Sequence, residues 1–460
     1  MSMQRLLNKL NQEILDYFTS EDFHSAPDIS PKFLREILTE YDFQKGQSRI
    51  KVFEDVVSMM KKWSLNVTSP NYLGLFNPSV TLDSIIAESL VALYNPQLAV
   101  WEHSPIACEI ERHVLNFIGD HIYNEQDFYS CFTTGGSEAN MTAILVGLTH
   151  KVDGFTSSGL VRRNHQPVIY VSNHAHHSFE KIAKTVGLGE QSIRRISTND
   201  KFQLNIRALE SQYQKDVDSG SFPIMVVGTA GTTSFGSIDP IKKLAEFCNQ
   251  NDLWYHVDAA WGGAARISSS LRNFLTGIEC ADSVTVDAHK WFSVGMGAGM
   301  FFTKHVNRVK EIFSVKADYM PDSIHEDIFE PYLSTIQWSR KFIGLKLFMT
   351  FAQSGSEGIA QRIEHQVEMG NYLKQLLIDF GWEIVNNTPL PVICFTHEKI
   401  KSGEKTTSEI LREIKKEGNY WISDIQYSGT NRAFRACITS FKTQKHHIEK
   451  IVSDLTDRIS

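Results

Sequence analysis

The sequence lacks paired cysteines, long apolar runs and internal repeats. Its six cysteines stand far apart, with no Cys-X-X-Cys pair to suggest a zinc or redox site. No stretch approaches the ~20 apolar residues that a membrane span requires, and no apolar run typical of a signal peptide stands at the N-terminus. These absences predict a cytoplasmic protein with no membrane partner and no bound metal, whose cysteines serve as small core side chains.

The sequence also has no excess of positive charge. Its 46 lysines and arginines are outnumbered by 53 aspartates and glutamates, which gives a net charge of -7 with both signs scattered along the chain. A nucleic acid would favour a basic surface, so we expect no nucleic-acid partner. With 42% hydrophobic residues, the 460-residue chain is long enough to bury a large core in two or three units.

Hydrophobic patterns divide the chain into three parts. Residues 1–75 read as helices broken by prolines. From about 130 to 305, short β-rich runs alternate with helical stretches, an order that predicts an α/β unit with a mostly parallel sheet. A long helical stretch and several short strands follow. We therefore predict an N-terminal helical segment at 1–75, a large domain at 76–345 and a small C-terminal α+β domain at 346–460.

Two polar segments in the α/β part could contact a ligand. In Thr133-Thr-Gly-Gly-Ser-Glu-Ala-Asn, Gly135 and Gly136 allow backbone N–H groups to approach a ligand, and a helix N-terminus favours an anion. Together with Ser137 they could hold a phosphate, whereas a plain turn with a capping serine is the alternative. Three histidines follow a strand in Val171-Ser-Asn-His-Ala-His-His. They could bind a metal, but no further grouping completes a ligand set, and one imidazole stacked on an aromatic ligand is the other interpretation.

Two charged residues stand at the ends of apolar strands, where burial is costly unless the charge is paired. Asp258, in Tyr255-His-Val-Asp-Ala-Ala, could pair with a protonated pyridine nitrogen, and Ala260 would leave room for a flat ring. Capping of the next helix is the alternative. Lys290, in Asp287-Ala-His-Lys, is the residue type that forms a Schiff base when partly buried, and a solvated lysine is the alternative.

The order of Gly-Gly-Ser, His, strand-end Asp and His-Lys resembles the group II pyridoxal-phosphate (PLP)-dependent decarboxylases, which include aromatic-amino-acid, glutamate, histidine and diaminobutyrate enzymes. The resemblance runs from about residue 69 to 445. It implies PLP fold type I, the aspartate aminotransferase-like α/β fold, with pyridoxal 5'-phosphate as the cofactor. It also implies a homodimeric lyase of amino acid metabolism that converts an L-amino acid into the amine and CO₂.

The resemblance assigns roles residue by residue. Lys290 would bind the cofactor covalently, His176 would stack on its ring, and Tyr332 would return a proton to Cα. Arg435 would bind the substrate carboxylate, and Phe76 would line the substrate pocket. The implied cofactor contacts are Gly136, Ser137, His176, Thr233, Asp258, Ala260, Asp287, His289 and Lys290.

Other activities stay open at this point. An aldehyde synthase or an aminotransferase would use the same cofactor, and a non-catalytic relative would keep only the fold. An aldehyde synthase tends to lack the loop tyrosine, so Tyr332, in the irregular segment 318–334 that we expect to form a lid, favours decarboxylation. Gln97 and Ala99, at expected pocket positions, favour a moderately polar or aliphatic substrate side chain.

The first predicted helix has an apolar face with nothing in its own segment to cover it. Such a stripe at helical spacing needs a partner surface. The resemblance implies that the N-terminal helices wrap the partner subunit, so we expect this face to pack in a homodimer. The residues of the stripe are Leu7, Leu10, Ile14 and Phe18.

Overall fold

The chain begins with three helices whose apolar faces its own core does not cover. The computed structural model describes residues 3–21, 23–24, 29–124, 126–160, 165–315, 328 and 330–460. Among these residues, the first helices are α1 (Met3–Thr19), α2 (Pro31–Leu38) and α3 (Arg49–Trp63). Hydroxyls of Ser30 and Ser48 cap α2 and α3 by accepting bonds from backbone N–H groups. None of the described side chains on these three helices is buried.

A seven-stranded sheet forms the centre of the large part of the chain, in the order β1-β7-β6-β5-β4-β2-β3. Strand β7 runs antiparallel to its neighbours β1 and β6, while the remaining pairs are parallel. The sheet is therefore mostly parallel, as predicted. The strands are β1 (Tyr129–Thr133), β2 (Pro167–Ser172), β3 (Ile193–Ile196), β4 (Phe222–Thr229), β5 (Trp254–Asp258), β6 (Ser283–Asp287) and β7 (Gly299–Thr303).

Helices cover both faces of this sheet, which explains its continuous apolar strands. Tyr170 and Val226 belong to one core cluster, whereas their neighbours Ile169 and Val227 belong to another, because successive strand residues point to opposite faces. The helices of this part are α4 (Leu82–Tyr94), α5 (Pro105–Tyr123), α6 (Gly136–Lys151), α7 (Phe155–Ser158), α8 (Ser178–Thr185), α9 (Ile206–Asp218), α10 (Ile241–Gln250) and α11 (Val306–Phe313).

The C-terminal part packs helices on a smaller antiparallel sheet of four strands, in the order β10-β11-β9-β8. Helix α12 (Leu345–Asp379) leads into it and is interrupted at Gly355, whose φ of 65° is not helical. The predicted boundaries at 75 and 345 stay predictions. The other elements are β8 (Glu383–Ile384), β9 (Val392–Thr396), α13 (Glu398–Lys401), α14 (Thr407–Glu417), β10 (Ser423–Ser428), β11 (Asn431–Cys437) and α15 (Lys445–Ile459).

Chain segments from the N-terminal side tie the two sheets together. The backbone of Leu73 donates to Trp421 and accepts from Cys437, so residues around 73 run along the small sheet. The chain turns from Leu73 toward Phe76, which lines a cavity at the large sheet.

Within the described ranges, the structure contains no helix with the length and apolarity needed to cross a membrane.

Candidate active site

A cavity of about 360 Å³ lies at the carboxyl ends of the central parallel strands. Thr229, Asp258 and Asp287 end strands β4, β5 and β6, and all three line it. Because the carboxyl ends of parallel strands meet at one edge of a sheet, residues far apart in sequence converge there. The described lining includes all nine predicted cofactor contacts: Gly136, Ser137, His176, Thr233, Asp258, Ala260, Asp287, His289 and Lys290.

The N-terminus of α6 forms one wall of the cavity. The cap of this helix is Gly135 and not Ser137, so the capping-serine interpretation is wrong. N–H groups in the first turn of a helix have no acceptor within the helix and attract anions. A Cβ on Gly136 would lie 2.9 Å from Asp287 Oδ2 and 3.3 Å from Ala260 Cβ, so only glycine leaves this space free.

His289 adds a hydrogen-bond donor beside this helix end. Its Nδ1 accepts from the backbone N–H of Ala298 at 3.2 Å, so in the neutral ring the proton is on Nε2. Nε2 lies 3.8 Å from Asp287 Oδ2. Burial lowers the pKa of His289, which keeps the ring neutral at physiological pH.

Lys290 is paired inside the cavity and is not a solvated surface lysine. Its side chain is 22% exposed, and Nζ lies 3.0 Å from Asp287 Oδ2. The other oxygen of this carboxylate, Oδ1, is buried without a hydrogen-bond partner among the described residues. The Lys290 ammonium also lies 5.7 Å from the centre of the Phe76 ring. The lysine is therefore directed at the space that the strand-end residues enclose.

Asp258 is a buried carboxylate whose two oxygens are both fixed. Oδ1 accepts from the backbone N–H of Ala260 at 3.1 Å, and Oδ2 accepts from the side chain of Asn140 at 3.0 Å. The first bond is a local turn of the kind that the capping alternative anticipated. The carboxylate still borders the cavity and has further lone pairs available for a ligand.

The three histidines after β2 separate instead of forming a metal cluster. His176 lines the cavity, and its Nδ1 accepts from the backbone N–H of Ser178 at 3.2 Å. His174 packs against Phe235 with ring centres 4.8 Å apart, whereas His177 contacts Arg195. Desolvation lowers the pKa of His176, so its ring is neutral at physiological pH.

Phe76 and Arg435 meet next to this cavity. The Phe76 ring stacks on Trp261, with ring centres 4.3 Å apart. The Arg435 guanidinium lies 5.3 Å from the centre of the same Phe76 ring. Arg435 is only 2% exposed. Its Nε donates to Thr233 O at 2.8 Å and Nη1 to Gly74 O at 2.6 Å, while Nη2 has no partner among the described residues. A buried, permanently charged donor is thus available for an anion.

Tyr332 lies in a different environment from the other predicted catalytic residues. Its backbone N–H donates to Ala99 O at 3.0 Å, and its ring packs on Trp338 with centres 5.1 Å apart. It is not among the described residues that line the cavity of its own chain. Much of the predicted lid, 318–327 and residue 329, lies outside the described residues, so the role of Tyr332 stays a prediction.

Asn140 is a site residue that the sequence interpretation missed. It lines the cavity and donates a hydrogen bond to Asp258. No single sequence motif predicts this contact. The signal was its spacing: Asn140 follows Gly136 by four residues, and residues four apart share a helix face. Glu138, in the same turn, also lines the cavity and accepts two bonds from the Gln337 amide.

A second cavity, of about 460 Å³, lies at the opposite edge of the central sheet. Two of its lysines are already bonded: Lys151 pairs with Asp252 at 2.8 Å, and Lys304 donates to the backbone carbonyl of Cys280 at 3.0 Å. It does not combine a helix N-terminus with strand-end charges. The cavity beside Lys290 is therefore the candidate active site.

Known proteins resemble this chain along most of its length. The family model described as pyridoxal-dependent decarboxylase conserved domain matches residues 31–398. The 4-hydroxyphenylacetaldehyde synthase of Rhodiola rosea is 26% identical over 446 residues, which cover 95% of this chain and 90% of that protein. Tyrosine decarboxylase 2 of Narcissus pseudonarcissus is 25% identical over 461 residues, which cover 96% of this chain and 91% of that protein.

Solved structures share the fold. Catharanthus roseus tryptophan decarboxylase in complex with L-tryptophan matches with a TM-score of 0.88 and 22% identity, over 100% of this chain and 99% of that one. Mouse CSAD in apo form matches with a TM-score of 0.90 and 22% identity, over 98% of each chain. At these identities the likeness concerns the fold alone, and it confirms the predicted fold class.

Proposed function

Because the chain belongs to the pyridoxal-dependent decarboxylase family, we propose that it converts an L-amino acid into the corresponding amine and CO₂. The observation that carries the proposal is the meeting, in one cavity, of Lys290, Asp258 and the N-terminus of α6. These groups provide a covalent anchor, a partner for a pyridine nitrogen and a site for a phosphate. PLP is the cofactor of this family, and it requires these three features together.

The cavity residues fit PLP on the geometry of the chain alone. The free space at Gly136, which a Cβ would fill, suits a phosphate at the first turn of α6, with Ser137 and the Nε2–H of His289 as further donors. Lys290 would carry the cofactor, and Thr233 would meet its polar edge. When bound, the cofactor supplies an electron sink for the pair that stays at Cα as CO₂ leaves.

Asp258 and His176 would hold the ring of the cofactor in the state that this chemistry needs. A carboxylate fixed by Asn140 and by the Ala260 backbone favours a protonated ring nitrogen next to it. The neutral imidazole of His176 offers a flat surface for stacking without adding a competing positive charge. Ala260 is small enough to leave the opposite side open.

Arg435 would bind the α-carboxylate of the substrate. Two of its nitrogens are used by the backbone, which fixes the guanidinium, and Nη2–H remains for a ligand. Phe76 lies against both Arg435 and Lys290, so it would border the substrate between the carboxylate and the amine ends. The expectation of a moderately polar or aliphatic substrate side chain stays a prediction.

The alternative product is an aldehyde, since one relative is named as an aldehyde synthase. We favour the amine because the chain has Tyr332, whose phenol would be a proton donor to Cα once CO₂ has left. Tyr332→Phe removes only the hydroxyl group. In that variant, CO₂ release should continue while the product shifts from amine toward aldehyde and ammonia, with dissolved O₂ as the oxidant that is reduced to peroxide.

The proposal is tested by incubating the PLP-loaded protein with each common L-amino acid. The expected result is release of CO₂ with an equal amount of one amine, and loss of both in Lys290→Ala. Keto-acid exchange without CO₂ would indicate an aminotransferase. No turnover of any amino acid, with the cofactor fully bound, would contradict the proposal.

A further inference from the structure

A chain of buried hydrogen bonds runs from the core of the large sheet to Asp258. Asn140, on α6, donates from Nδ2 to Asp258 Oδ2 at 3.0 Å. Asn140 Oδ1 lies 2.7 Å from Thr285 Oγ1 and 3.0 Å from His256 Nε2. Ser283 Oγ lies 2.9 Å from His256 Nδ1 and accepts from Trp254 Nε1 at 2.9 Å. All of these side chains are buried.

The charge of Asp258 determines the direction of every bond in this chain. An ionised carboxylate only accepts hydrogen bonds, so Asn140 must turn its NH₂ group toward Asp258. The amide oxygen of Asn140 then faces Thr285 and His256, and both must donate to it. Donation to Asn140 Oδ1 requires a proton on His256 Nε2, while Nδ1 lies near two oxygens of Ser283, the hydroxyl at 2.9 Å and the backbone carbonyl at 3.1 Å.

Trp254 lies next to Ser283 at the far end of this chain. An indole N–H can only donate, so Trp254 occupies a lone pair of Ser283 Oγ and leaves the hydroxyl proton for His256. Complete burial lowers the pKa of His256 to about 4, which makes the ring neutral with a single proton.

We propose that Asn140 and His256 are positioning residues that hold the Asp258 carboxylate in place, directed into the cavity. This inference rests on the proposed use of PLP in this cavity. Asn140 belongs to the same helix whose first turn begins at Gly136. One rigid helix would thus fix both the phosphate end of the cofactor and the carboxylate that meets its ring nitrogen.

Two variants remove the two main links of the chain. Asn140→Leu keeps the size of the side chain and removes the donor to Asp258, and His256→Phe removes the donor to Asn140. Because the loss of a hydrogen bond to a buried charge costs free energy, Asn140→Leu should weaken PLP binding roughly ten- to hundredfold. His256→Gln, which can still donate an N–H group to Asn140, should restore most of the affinity that His256→Phe loses.

The deciding readout is the ¹⁵N chemical shift of the ring nitrogen in ¹⁵N-labelled PLP bound to the protein. In the wild type it should report a protonated nitrogen, and in Asn140→Leu it should move toward the unprotonated value. Thr149→Val is the matched control: it removes a buried hydroxyl from the same helix that bonds only to Leu145 O within the described structure, and it should change neither shift nor affinity.

These measurements do not depend on turnover, so they separate this inference from the proposed activity. A protein that binds PLP and shows these shifts, yet releases no CO₂, would support the positioning role and contradict the activity. Wild-type affinity and an unchanged ¹⁵N shift in Asn140→Leu and His256→Phe would overturn the inference. If either variant fails to fold, the ¹⁵N shift is measured in Thr285→Val and His256→Gln in its place. An unchanged ¹⁵N shift together with full PLP binding in Thr285→Val would count against the network.

Discussion

At the scale of single residues, the site depends on charged side chains that hydrogen bonds hold in place and that still have bonding capacity available for a ligand. Asp258 accepts two bonds and borders the cavity, and Arg435 donates two bonds while Nη2 stays without a partner in the described structure. Leaving a buried charged donor unpaired costs free energy unless a ligand completes its bonding. Such residues are therefore candidates for ligand contacts.

Replacement of Arg435 by lysine tests its role at the substrate carboxylate. A guanidinium donates in a fixed planar geometry that an ammonium does not reproduce, so Arg435→Lys should raise KM by roughly ten- to hundredfold. Binding of PLP, measured by titration of its absorbance, should change little. Arg432→Lys is the control, because Arg432 lies on the same strand but forms an exposed pair with Asp424. An unchanged kcat/KM in Arg435→Ala would rule out the role.

At the scale of elements, the sequence was sufficient to predict the buried central strands and insufficient to predict the strands at the edges of the large sheet. Runs of β-branched and aromatic residues in the sequence predict strands β2, β4, β5, β6 and β7, and the two edge strands β1 and β3 are not predicted. Strand β3 was missed because its centre is Arg194-Arg195, which pair with Asp216 and Glu180 at the edge of the sheet. Charged residues are typical of edge strands and weaken the apolar signal.

The same limit explains which site residues were found. Lys290 and Asp258 follow apolar strands, so their position could be predicted from the pattern alone. The bond from Asn140 to Asp258 depends on how α6 packs over β5 and β6, which is a tertiary feature. Gln97 bonds to Ser339 and His103 in the described structure, and its expected place near the substrate stays a prediction.

The start of α6 gives a prediction about an element. In Gly136→Ala the new methyl group would crowd Asp287 and Ala260 and occupy the space for the phosphate. Such overpacking typically costs about 1–3 kcal/mol, and we expect most of it to appear as weaker PLP binding. A fluorescence titration measures this affinity. Gly46→Ala, where a Cβ meets nothing within 4 Å, is the control and should bind PLP normally. Full affinity in Gly136→Ala would place the phosphate elsewhere.

At the scale of the whole molecule, histidines whose pKa is lowered by partial or complete desolvation make stability depend on pH. Burial lowers the pKa of His174, His176, His256 and His289. For His256 the folded value of about 4 lies below the ordinary value of 6.5, so the unfolded chain binds an extra proton between these pH values. Stability from this source is complete above pH 6.5 and is lost as the pH falls to about 4.

Thermal unfolding of the protein across this range tests the prediction. The free energy of unfolding should decrease toward pH 4, with about 3 kcal/mol of the decrease due to His256. His256→Gln cannot take up this proton, so its curve should be shallower between pH 6.5 and 4. Equal slopes for the two proteins would show that His256 titrates normally in the folded state.

The exposed apolar face of the first helices supports the proposal of a homodimer. Leu7 is 46% exposed and Leu10 is 43% exposed, and apolar patches of this kind usually mark interfaces. Leu7→Glu with Leu10→Glu should produce monomer or aggregate in sedimentation velocity. Asn8→Glu adds a charge to the same helix at an exposed polar position and should leave the dimer intact. An unchanged dimer in the double variant would exclude this face.

The central claim is that Lys290 carries PLP in the cavity at the strand ends. Borohydride reduction fixes the cofactor to the lysine that holds it, and peptide mass spectrometry then identifies that lysine. We predict that the modification is found on Lys290 in the wild type and is absent in Lys290→Ala. Modification of a different lysine, or none with the cofactor bound, would contradict the account.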